Sequence, residues 1–233
     1  MVHRVAVVVP TPAHSSLAGP LTYRSELALA PGTLLRVPLG RREVLGVAWD
    51  ADLHRLEPDA TVTERPIAGV LEGIPPLSGR WRELVTFCAS YYQRSLGEVA
   101  LAALPPQLRD LTTAQLARRL KRGAGTDGAV PPSDAAPELT PEQAAALQSV
   151  AAHDGTFLLY GATGSGKTEV YLQCVQRLLA GDPQAQALVM VPEINLTPQL
   201  HERFVARFGA GQVVAMHSGL TNPQRLKSWL AAH

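Results

Sequence analysis

The spacing of hydrophobic and polar positions changes along the chain, and its first part is typical of strands. Short apolar runs at residues 5–9, 34–38 and 44–49, rich in branched side chains, each predict a buried strand. A Gly-Arg-Arg sequence at residues 40–42 separates the second run from the third. It predicts a hairpin connection that carries two cations at its tip.

Helical spacing replaces this pattern from residue 78 onward. Apolar side chains recur on one face of a predicted helix that begins after the candidate N-cap Ser78. These side chains are Trp81, Leu84, Val85, Cys88 and Tyr92. A second short helix is predicted over residues 96–104, where two prolines end it. Strands followed by helices predict a small mixed β/α domain over residues 1–108.

The first domain shows no group of residues typical of an enzyme. It has no paired carboxylates beside a histidine, and its histidines are scattered along the sequence. Its arginines either form a phosphate-contacting face or are only solvated, as surface arginines commonly are. They are Arg24, Arg36, Arg41, Arg42 and Arg65.

The segment that follows has the composition of a connector. Residues 123–137 consist mainly of Gly, Ala, Pro and small polar residues, which offer little to bury. A flexible linker is therefore predicted over residues 109–138. A basic cluster at residues 118–122 (Arg-Arg-Leu-Lys-Arg) either contacts phosphates or is a solvated run of charge.

The remaining residues, 139–233, alternate apolar runs with amphipathic segments. Thr140 as N-cap, Pro141 at the first helical position and Gln143 in a capping box predict the first helix. Three apolar runs then predict parallel strands connected by helices. The runs are residues 157–160, 187–191 and 213–216. This order predicts a partial P-loop (RecA-like) lobe and makes the whole chain an α/β protein.

A glycine-rich sequence after residue 160 fits the phosphate-loop pattern G-x-x-x-x-G-K-[ST]. Glycines let backbone N–H groups approach a phosphate, and the N-terminus of the next helix adds its dipole. Lys167 is predicted to reach the β- and γ-phosphates and the Thr168 hydroxyl to ligate Mg²⁺, so both are candidate catalytic residues. The predicted nucleotide-binding residues are Gly161, Ala162, Thr163, Gly164, Ser165, Gly166, Lys167 and Thr168.

Composition narrows the class of protein further. The formal net charge of +1 points to no class of partner by itself. Cys88 and Cys174 form no C-x-x-C pair, so reduced core thiols are expected in this chain and a zinc site is not. No run reaches the ~18 consecutive apolar residues of a membrane span, and no signal-peptide pattern opens the chain. A cytoplasmic protein without a membrane partner is expected.

Four sequences in the second half of the chain occur together in one known family. They are Leu-Thr-Pro-Glu-Gln at 139–143, the loop at 160–172, Val-Pro-Glu-Ile-Asn-Leu-Thr-Pro-Gln at 191–199 and His-Ser-Gly-Leu at 217–220. With them the chain resembles the primosomal protein N-prime family, the replication-restart helicases of superfamily 2. Residues 36–40 and 91–98 resemble the N-terminal DNA-binding domain of that family.

The resemblance implies an ATP-dependent 3′-to-5′ DNA helicase that assembles the primosome at stalled forks, with ATP and Mg²⁺ as cofactors. It implies forked or single-stranded DNA, other primosome proteins and single-strand-binding protein as partners. Gln143 matches a residue that reads adenine, although the capping box explains it equally well. Residues matching the family's pocket for a 3′ end are Leu21, Thr22, Tyr23, Gly40 and Arg65. A motif that contacts single-stranded DNA matches residues 193–199, including Glu193 and Thr197.

Three features depart from the family pattern. Leu21 and Thr22 stand where the family has Phe and Asp, which removes a carboxylate acceptor for a terminal 3′-hydroxyl. About thirty residues separate Arg109 from Leu139, too few for the family's winged-helix domain. The acidic Mg²⁺-binding motif, the second lobe with its arginine finger and the zinc module do not occur within the 233 residues. Zinc is therefore expected only in a longer protein.

These departures leave more than one function open. The first is the N-terminal piece of a helicase, which by itself is not expected to hydrolyse ATP. The second is a non-catalytic module that binds DNA and nucleotide. The third is a P-loop kinase or transferase, which residues 191–199 and the appended first domain disfavour.

Overall fold

The structure is a computed structural model that describes residues 2–12, 19–51, 64–123, 137–182, 184–191 and 197–233. Its packing divides the chain into two units, the first made of Met1–Thr126 and Met216–His233 and the second of Asp127–Ala215. The domain boundaries that the sequence suggests remain a prediction, and they differ from these units after residue 108 and at the last helix.

The first unit is built on an antiparallel sheet of five strands. The strands are β1 (His3–Val8), β2 (Leu21–Ser25), β3 (Leu34–Leu39), β4 (Arg42–Ala48) and β5 (Gly69–Val70). They lie in the order β2-β1-β4-β3-β5. The three strands predicted from apolar runs are confirmed. The sequence did not predict β2 and β5, because one is largely polar and the other has only two residues.

The predicted hairpin joins β3 to β4. Leu39 pairs with Arg42, so Gly40 and Arg41 form a two-residue turn in which Gly40 has a φ of +61°. A tight hairpin turn of this kind needs positive φ, which glycine adopts without steric strain. Arg41 and Arg42 are both exposed at the tip.

Helices α1 (Gly79–Tyr91) and α2 (Leu96–Ala102) pack against this sheet, and a 3₁₀ turn at Pro106–Arg109 follows. Val85 and Ala100 form a cluster with Val8 of β1. The predicted N-cap of α1 is confirmed, since the Trp81 backbone N–H donates to Ser78 Oγ at 3.2 Å. The predicted apolar face is only partly buried. Of that face Val85 is buried, whereas Leu84 and Tyr92 are 59% and 66% exposed, because the buried side of the helix is centred on Val85 and Ala89.

A helix occupies the first part of the segment predicted to be a linker. Helix α3 (Thr113–Gly123) begins with a capping box, in which Thr112 N–H donates to Gln115 Oε1 at 3.0 Å and Gln115 N–H donates to Thr112 Oγ1 at 3.2 Å. Leu116 is fully buried in the core of the first unit, and Leu120 packs against it. The first unit thus continues past residue 108. Residues 124–136 of the predicted linker lie outside the described residues.

The last helix of the chain also packs in the first unit. We number it α7 (Asn222–Ala232), and its Leu226 is buried in the cluster that contains Leu104 and Leu108. Its N-cap is Thr221, which forms a capping box with Gln224.

The second unit contains helices α4 (Pro141–Ala152), α5 (Lys167–Gly181) and α6 (Thr197–Phe208). Thr140, Pro141 and Gln143 begin α4 as predicted, with both hydrogen bonds of the capping box present. The first turn of α5 follows the phosphate loop directly. Helix α4 therefore begins where the sequence predicts its start.

The apolar runs predicted as parallel strands carry no strand hydrogen bonding among the described residues of the second unit. The mixed α/β class is confirmed, but at these runs the structure differs from the sequence prediction. Leu158 and Tyr160 are 91% and 92% exposed, while their neighbours Phe157 and Leu159 are 41% and 38% exposed. This alternation is typical of extended backbone with one sheltered face. Parallel strands are normally covered on both faces, and these runs are not.

Cys88 and Cys174 are free thiols and are both half-buried. Burial raises the pKa of the Cys174 thiol, and the nearby charge of Arg177 partly opposes this. Among the described residues, no helix is long and apolar enough to cross a lipid bilayer.

Candidate functional site

The phosphate loop forms a compact turn before α5. Gly164 and Gly166 have φ angles of +84° and +79°, so both adopt the left-handed conformation that glycine favours. A Cβ at Gly161 would lie only 2.7 Å from Ser165 Oγ, so a larger residue there would displace the Ser165 side chain. Ser165 N–H closes the turn on the Ala162 carbonyl at 3.2 Å. The backbone conformation thus explains Gly164 and Gly166.

Lys167 turns its ammonium group into this loop. Its Nζ donates to the carbonyl oxygens of Gly161 and Ala162, both at 2.7 Å. The next residue, Thr168, accepts a hydrogen bond from the Tyr171 hydroxyl at 3.1 Å. A cation, left-handed glycines and a helix N-terminus at one place fit the phosphates of a nucleotide. The Thr168 hydroxyl is the oxygen that would ligate Mg²⁺ there.

Gln143 contacts the phosphate loop as well as capping α4. Its Oε1 accepts the Thr140 backbone N–H at 2.9 Å, which is the capping contact. Its Nε2 donates to the Gly166 carbonyl oxygen at 3.3 Å. The capping interpretation is confirmed, and the contact of Gln143 with adenine stays a prediction.

An ion pair joins the first turn of α5 to the last turn of α6. Arg207 Nη2 donates to both carboxylate oxygens of Glu169, at 2.8 and 2.9 Å. The two side chains are only 10% and 16% exposed. Gln173 also donates to Glu169 at 3.0 Å. The sequence analysis missed this pair, because nothing in the spacing of residues 169 and 207 shows that their helices are neighbours.

Tyr23, Gly40 and Arg65, predicted to form the 3′-end pocket, lie together in the first unit. The Tyr23 hydroxyl donates to the Pro38 carbonyl oxygen at 3.1 Å, two residues before Gly40. Arg65 Nη1 donates to the Gly40 carbonyl oxygen at 2.8 Å. The guanidinium of Arg65 is exposed beside the hairpin tip, where its other donors can meet a phosphate.

The burial of the Tyr23 side chain limits its possible role. It is only 4% exposed and belongs to the core cluster of the sheet. Burial raises the pKa of its phenol, an effect that the positive charge of Arg65 partly offsets. Thr22 lies on the opposite face of β2, since side chains alternate along a strand. The structure therefore does not bring Thr22 and the Tyr23 hydroxyl to one surface.

Arg36 does not belong to a phosphate-contacting face, and that interpretation is wrong. Its side chain is 7% exposed. The guanidinium donates to the carbonyl oxygens of Leu111, Arg109 and Leu108, with Nε to Leu111 at 3.0 Å. Burial lowers the pKa of Arg36. The residue is structural, because it satisfies three carbonyl groups where the chain turns into α3.

The structure describes the other predicted DNA contacts only in part. Arg24 is exposed and donates through Nε to the Glu64 carbonyl oxygen at 2.9 Å. Glu193 lies outside the described residues, and of Thr197 only the backbone, at the start of α6, is described. Among the described residues, no group of three or more His, Cys, Asp or Glu side chains is arranged to hold a metal ion.

Two family models match the two parts of the chain in which these sites lie. One, described as the PriA 3′DNA-binding domain, matches residues 5–105. The other, described as a DEAD/DEAH box helicase, matches residues 140–232 and so includes the phosphate loop. The chain therefore combines a DNA-binding domain with a helicase domain.

Curated relatives identify the family more closely. The replication restart protein PriA of Synechocystis is 54% identical over 97 residues, which are 40% of this chain and 11% of that relative. The protein of the same name from Treponema pallidum is 30% identical over 222 residues, 89% of this chain and 31% of that relative. That of Bacillus subtilis is 46% identical over 100 residues, 41% of this chain and 12% of that relative. The resemblance to the PriA family is thus confirmed, and the chain matches at most about a third of the length of these relatives.

Proposed function

We propose that this chain is the DNA- and nucleotide-binding part of an ATP-dependent 3′-to-5′ DNA helicase of replication restart. The observation that carries the proposal is a formed phosphate loop in the same polypeptide as a 3′DNA-binding domain. Such a protein acts in the cytoplasm on forked or single-stranded DNA. Primosome proteins and single-strand-binding protein are its expected partners, and primosome assembly at stalled forks is its expected role.

Different groups of the loop bind different parts of the nucleotide. Backbone N–H groups at the start of α5 and the Lys167 ammonium hold the phosphates, and Thr168 provides an oxygen for Mg²⁺. When bound, Mg²⁺ supplies charge neutralisation at the phosphates. The hydrogen bond from Gln143 to Gly166 supports a role of this side chain in orienting the loop, and its contact with the base is proposed from the family resemblance alone.

A second candidate is that the 233-residue polypeptide binds nucleotide without hydrolysing it. Glu169, the carboxylate next to Thr168 in sequence, is engaged by Arg207 and Gln173 and so is not free to orient water. Hydrolysis also needs stabilisation of transition-state charge, which an arginine finger supplies with about 10³–10⁵ in rate in related NTPases. The two candidates share the nucleotide-binding site and differ only in whether bound ATP is hydrolysed.

Calorimetry with ADP and ATP, beside a phosphate-release assay with and without forked DNA, tests both candidates. We expect weak nucleotide binding, no significant turnover, and a loss of at least about tenfold in affinity for Lys167→Ala. Lys227→Ala, which removes an exposed lysine from α7, is the matched control. DNA-stimulated turnover that Lys167→Ala abolishes would exclude the second candidate. A chain that binds no nucleotide would exclude both.

DNA binding is tested separately on single strands that end in a 3′-hydroxyl or a 3′-phosphate. We expect little preference for the hydroxyl, because Thr22 is a poorer acceptor than a carboxylate. Arg41→Gln with Arg42→Gln should weaken binding to all sequences alike, since phosphate contacts carry no sequence information. A strong preference for the hydroxyl end would show that another residue recognises it. No binding at low salt would contradict the proposed DNA contact.

A further inference from the structure

Helix α3 carries a concentration of positive charge that the chain as a whole lacks. The chain has 21 Lys and Arg against 20 Asp and Glu. Residues 111–126, in contrast, contain no acidic residue and four basic ones, which are Arg118, Arg119, Lys121 and Arg122. The side chains of Arg118 and Arg119 are both exposed. A local excess of this size is an electrostatic signal that the overall net charge conceals.

This charge is fixed to the core of the first unit and does not lie on a flexible connector. Leu116 is fully buried, and Leu120 packs against the same cluster. At the start of the helix the guanidinium of Arg36 holds the carbonyl groups of Leu111 and Arg109. The arginines are therefore presented on a rigid surface, and ordering the backbone on binding costs less entropy.

A shallow polar groove of about 430 Å³ runs between α3 and the 3₁₀ turn before it. Gln107, Asp110 and Gln115 line it together with Arg118 and Arg119. Arg119 Nη1 lies 3.4 Å from Gln107 Oε1, so its remaining donors are available. The negative charge of Asp110 acts on Arg36, whose pKa it raises against the effect of burial. The groove thus combines two guanidinium groups with two amides and one carboxylate, so its net charge is positive.

We propose that this arginine-bearing surface of α3 contacts the phosphate backbone of double-stranded DNA. The proposal rests on the proposed function in taking DNA as the ligand of the first unit. Guanidinium groups match phosphate oxygens with paired donors. Residues 111–126 include no aromatic side chain, so the segment offers no platform for the unstacked bases of a single strand. Its chemistry therefore favours a duplex.

The surface lies within reach of a duplex that also meets the hairpin tip. Arg36, which anchors α3, precedes Gly40 by four residues on one strand. Those four residues span ~13 Å at ~3.3 Å per residue. Arg36 is hydrogen-bonded to Leu111, and the chain from Leu111 to Arg118 adds ~11 Å at ~1.5 Å per helical residue. One turn of B-DNA is ~34 Å long, so a single duplex end is long enough to contact both places.

The experiment compares Arg118→Gln/Arg119→Gln in the full 233-residue chain with the parent. The probes are a dumbbell duplex closed at both ends, which has no 3′ end, and a single strand with a free 3′-hydroxyl. We expect affinity for the dumbbell to fall about 10- to 100-fold at ~100 mM salt. The number of counterions released on binding, read from the slope of log affinity against log salt concentration, should fall by about two. Affinity for the 3′-ended strand should change by less than about threefold.

Two control variants separate a specific surface from charge in general. Arg80→Gln/Arg94→Gln removes two exposed arginines of the same unit and should leave dumbbell affinity within about threefold. Arg118→Lys/Arg119→Lys keeps the charge and should retain most of the binding. Circular dichroism shows whether each variant is folded, and if the double glutamine variant unfolds, the single variants Arg118→Gln and Arg119→Gln decide, since each should lower dumbbell affinity about three- to tenfold.

Several outcomes would overturn the proposal. These are an unchanged dumbbell affinity, an equal loss in the Arg80/Arg94 control, or poly-glutamate binding as tight as that of the duplex, which would indicate an acidic protein as the partner. The proposed function fails differently. A parent chain that binds the dumbbell but not the 3′-ended strand would leave the α3 contact intact and exclude the end-binding role.

Discussion

The two units of the molecule bury their apolar residues to very different extents. In the first unit Val7, Leu35, Val37 and Val47 are all fully buried within an antiparallel sheet. In the second unit the corresponding apolar runs leave residues such as Leu158 and Leu188 91% and 87% exposed. The capping box of α4 and the phosphate loop before α5 are nevertheless formed.

The difference separates what local sequence can form from what needs neighbours. Antiparallel strands pair through short turns, as β3 and β4 do across Gly40 and Arg41. Parallel strands need crossover connections and a covering layer on each face. Caps and phosphate loops need only a few consecutive residues. The functional loop of the second unit is therefore independent of whether its sheet is assembled.

The largest expected effect is the difference in lost unfolding free energy between two leucine truncations, one in each unit. Leu35→Ala should lower the free energy of unfolding by about 2–5 kcal/mol, because it leaves a cavity in a closed core. Leu158→Ala should change it by less than about 0.5 kcal/mol, because its side chain is 91% exposed. Urea denaturation followed by circular dichroism measures both. A loss of more than about 2 kcal/mol for Leu158→Ala would mean that this run is a buried strand in solution.

The next largest effect concerns ion pairs that differ in burial. Glu169→Gln breaks the largely buried pair with Arg207 and should destabilise the second unit by about 2–4 kcal/mol, since the arginine is left without its partner. Glu98→Gln is the matched control in the first unit. It removes a pair with Arg94 whose side chains are 58% and 45% exposed, and it should cost less than about 0.5 kcal/mol.

Hydrogen exchange of α5 and α6 measures the first ion-pair variant, and exchange of α1 and α2 measures the second. Equal protection in Glu169→Gln and the parent would contradict a structural role for the pair. If Glu169→Gln lowers the protection of α5 and α6 but Arg207→Gln does not, the two side chains are not paired in solution.

The sequence predicted those features of the molecule whose signals are local. The phosphate loop from Gly161 to Thr168 and the caps at Ser78 and Thr140 follow from short patterns and are found in the structure. Arg36 could not be assigned correctly. Its structural role depends on carbonyl groups more than seventy residues away, which no spacing rule connects to it.

Helix α3 combines a feature that local sequence predicts with one that depends on distant residues. The Thr-x-x-Gln sequence from Thr112 to Gln115 is a capping-box signal that could have predicted a helix inside the supposed linker. The burial of Leu116 depends on the tertiary core and could not have been predicted. The Glu169–Arg207 pair was unpredictable for the same reason, because its partners come from two helices.

A smaller effect distinguishes the two contacts of Gln143. Gln143→Glu keeps the oxygen that caps α4 but loses the Nε2 donor to Gly166, while Gln143→Ala loses both. We expect the alanine variant to lose about 1 kcal/mol of stability and the glutamate variant to lose little. Both should bind ATP about fivefold more weakly in calorimetry. If the glutamate variant binds ATP as the parent does, Gln143 is only a cap.

The smallest effect depends on pH and tests whether Tyr23 is a core residue or a DNA contact. At neutral pH, Tyr23→Phe should cost about 0.5–1.5 kcal/mol, because the Pro38 carbonyl loses its donor. Burial raises the pKa of Tyr23 above the ordinary 10.0. A raised pKa gives stability that is present below about pH 10 and is lost as the pH rises through the folded value. The parent should thus lose its advantage over the variant only above that pH.

Urea denaturation of parent and variant between pH 7 and 11 measures this difference, since every other titrating group is common to both. The gap in unfolding free energy should be constant up to about pH 10 and then close, because phenylalanine has no proton to lose. Anisotropy titrations with a 3′-ended strand should show affinities within about twofold, as a phenol in the core cannot reach a ligand. A gap that closes below pH 9 would mean that the phenol is not protected by burial. A tenfold loss of DNA affinity in Tyr23→Phe would show that the hydroxyl contacts the DNA end, as the family resemblance implies.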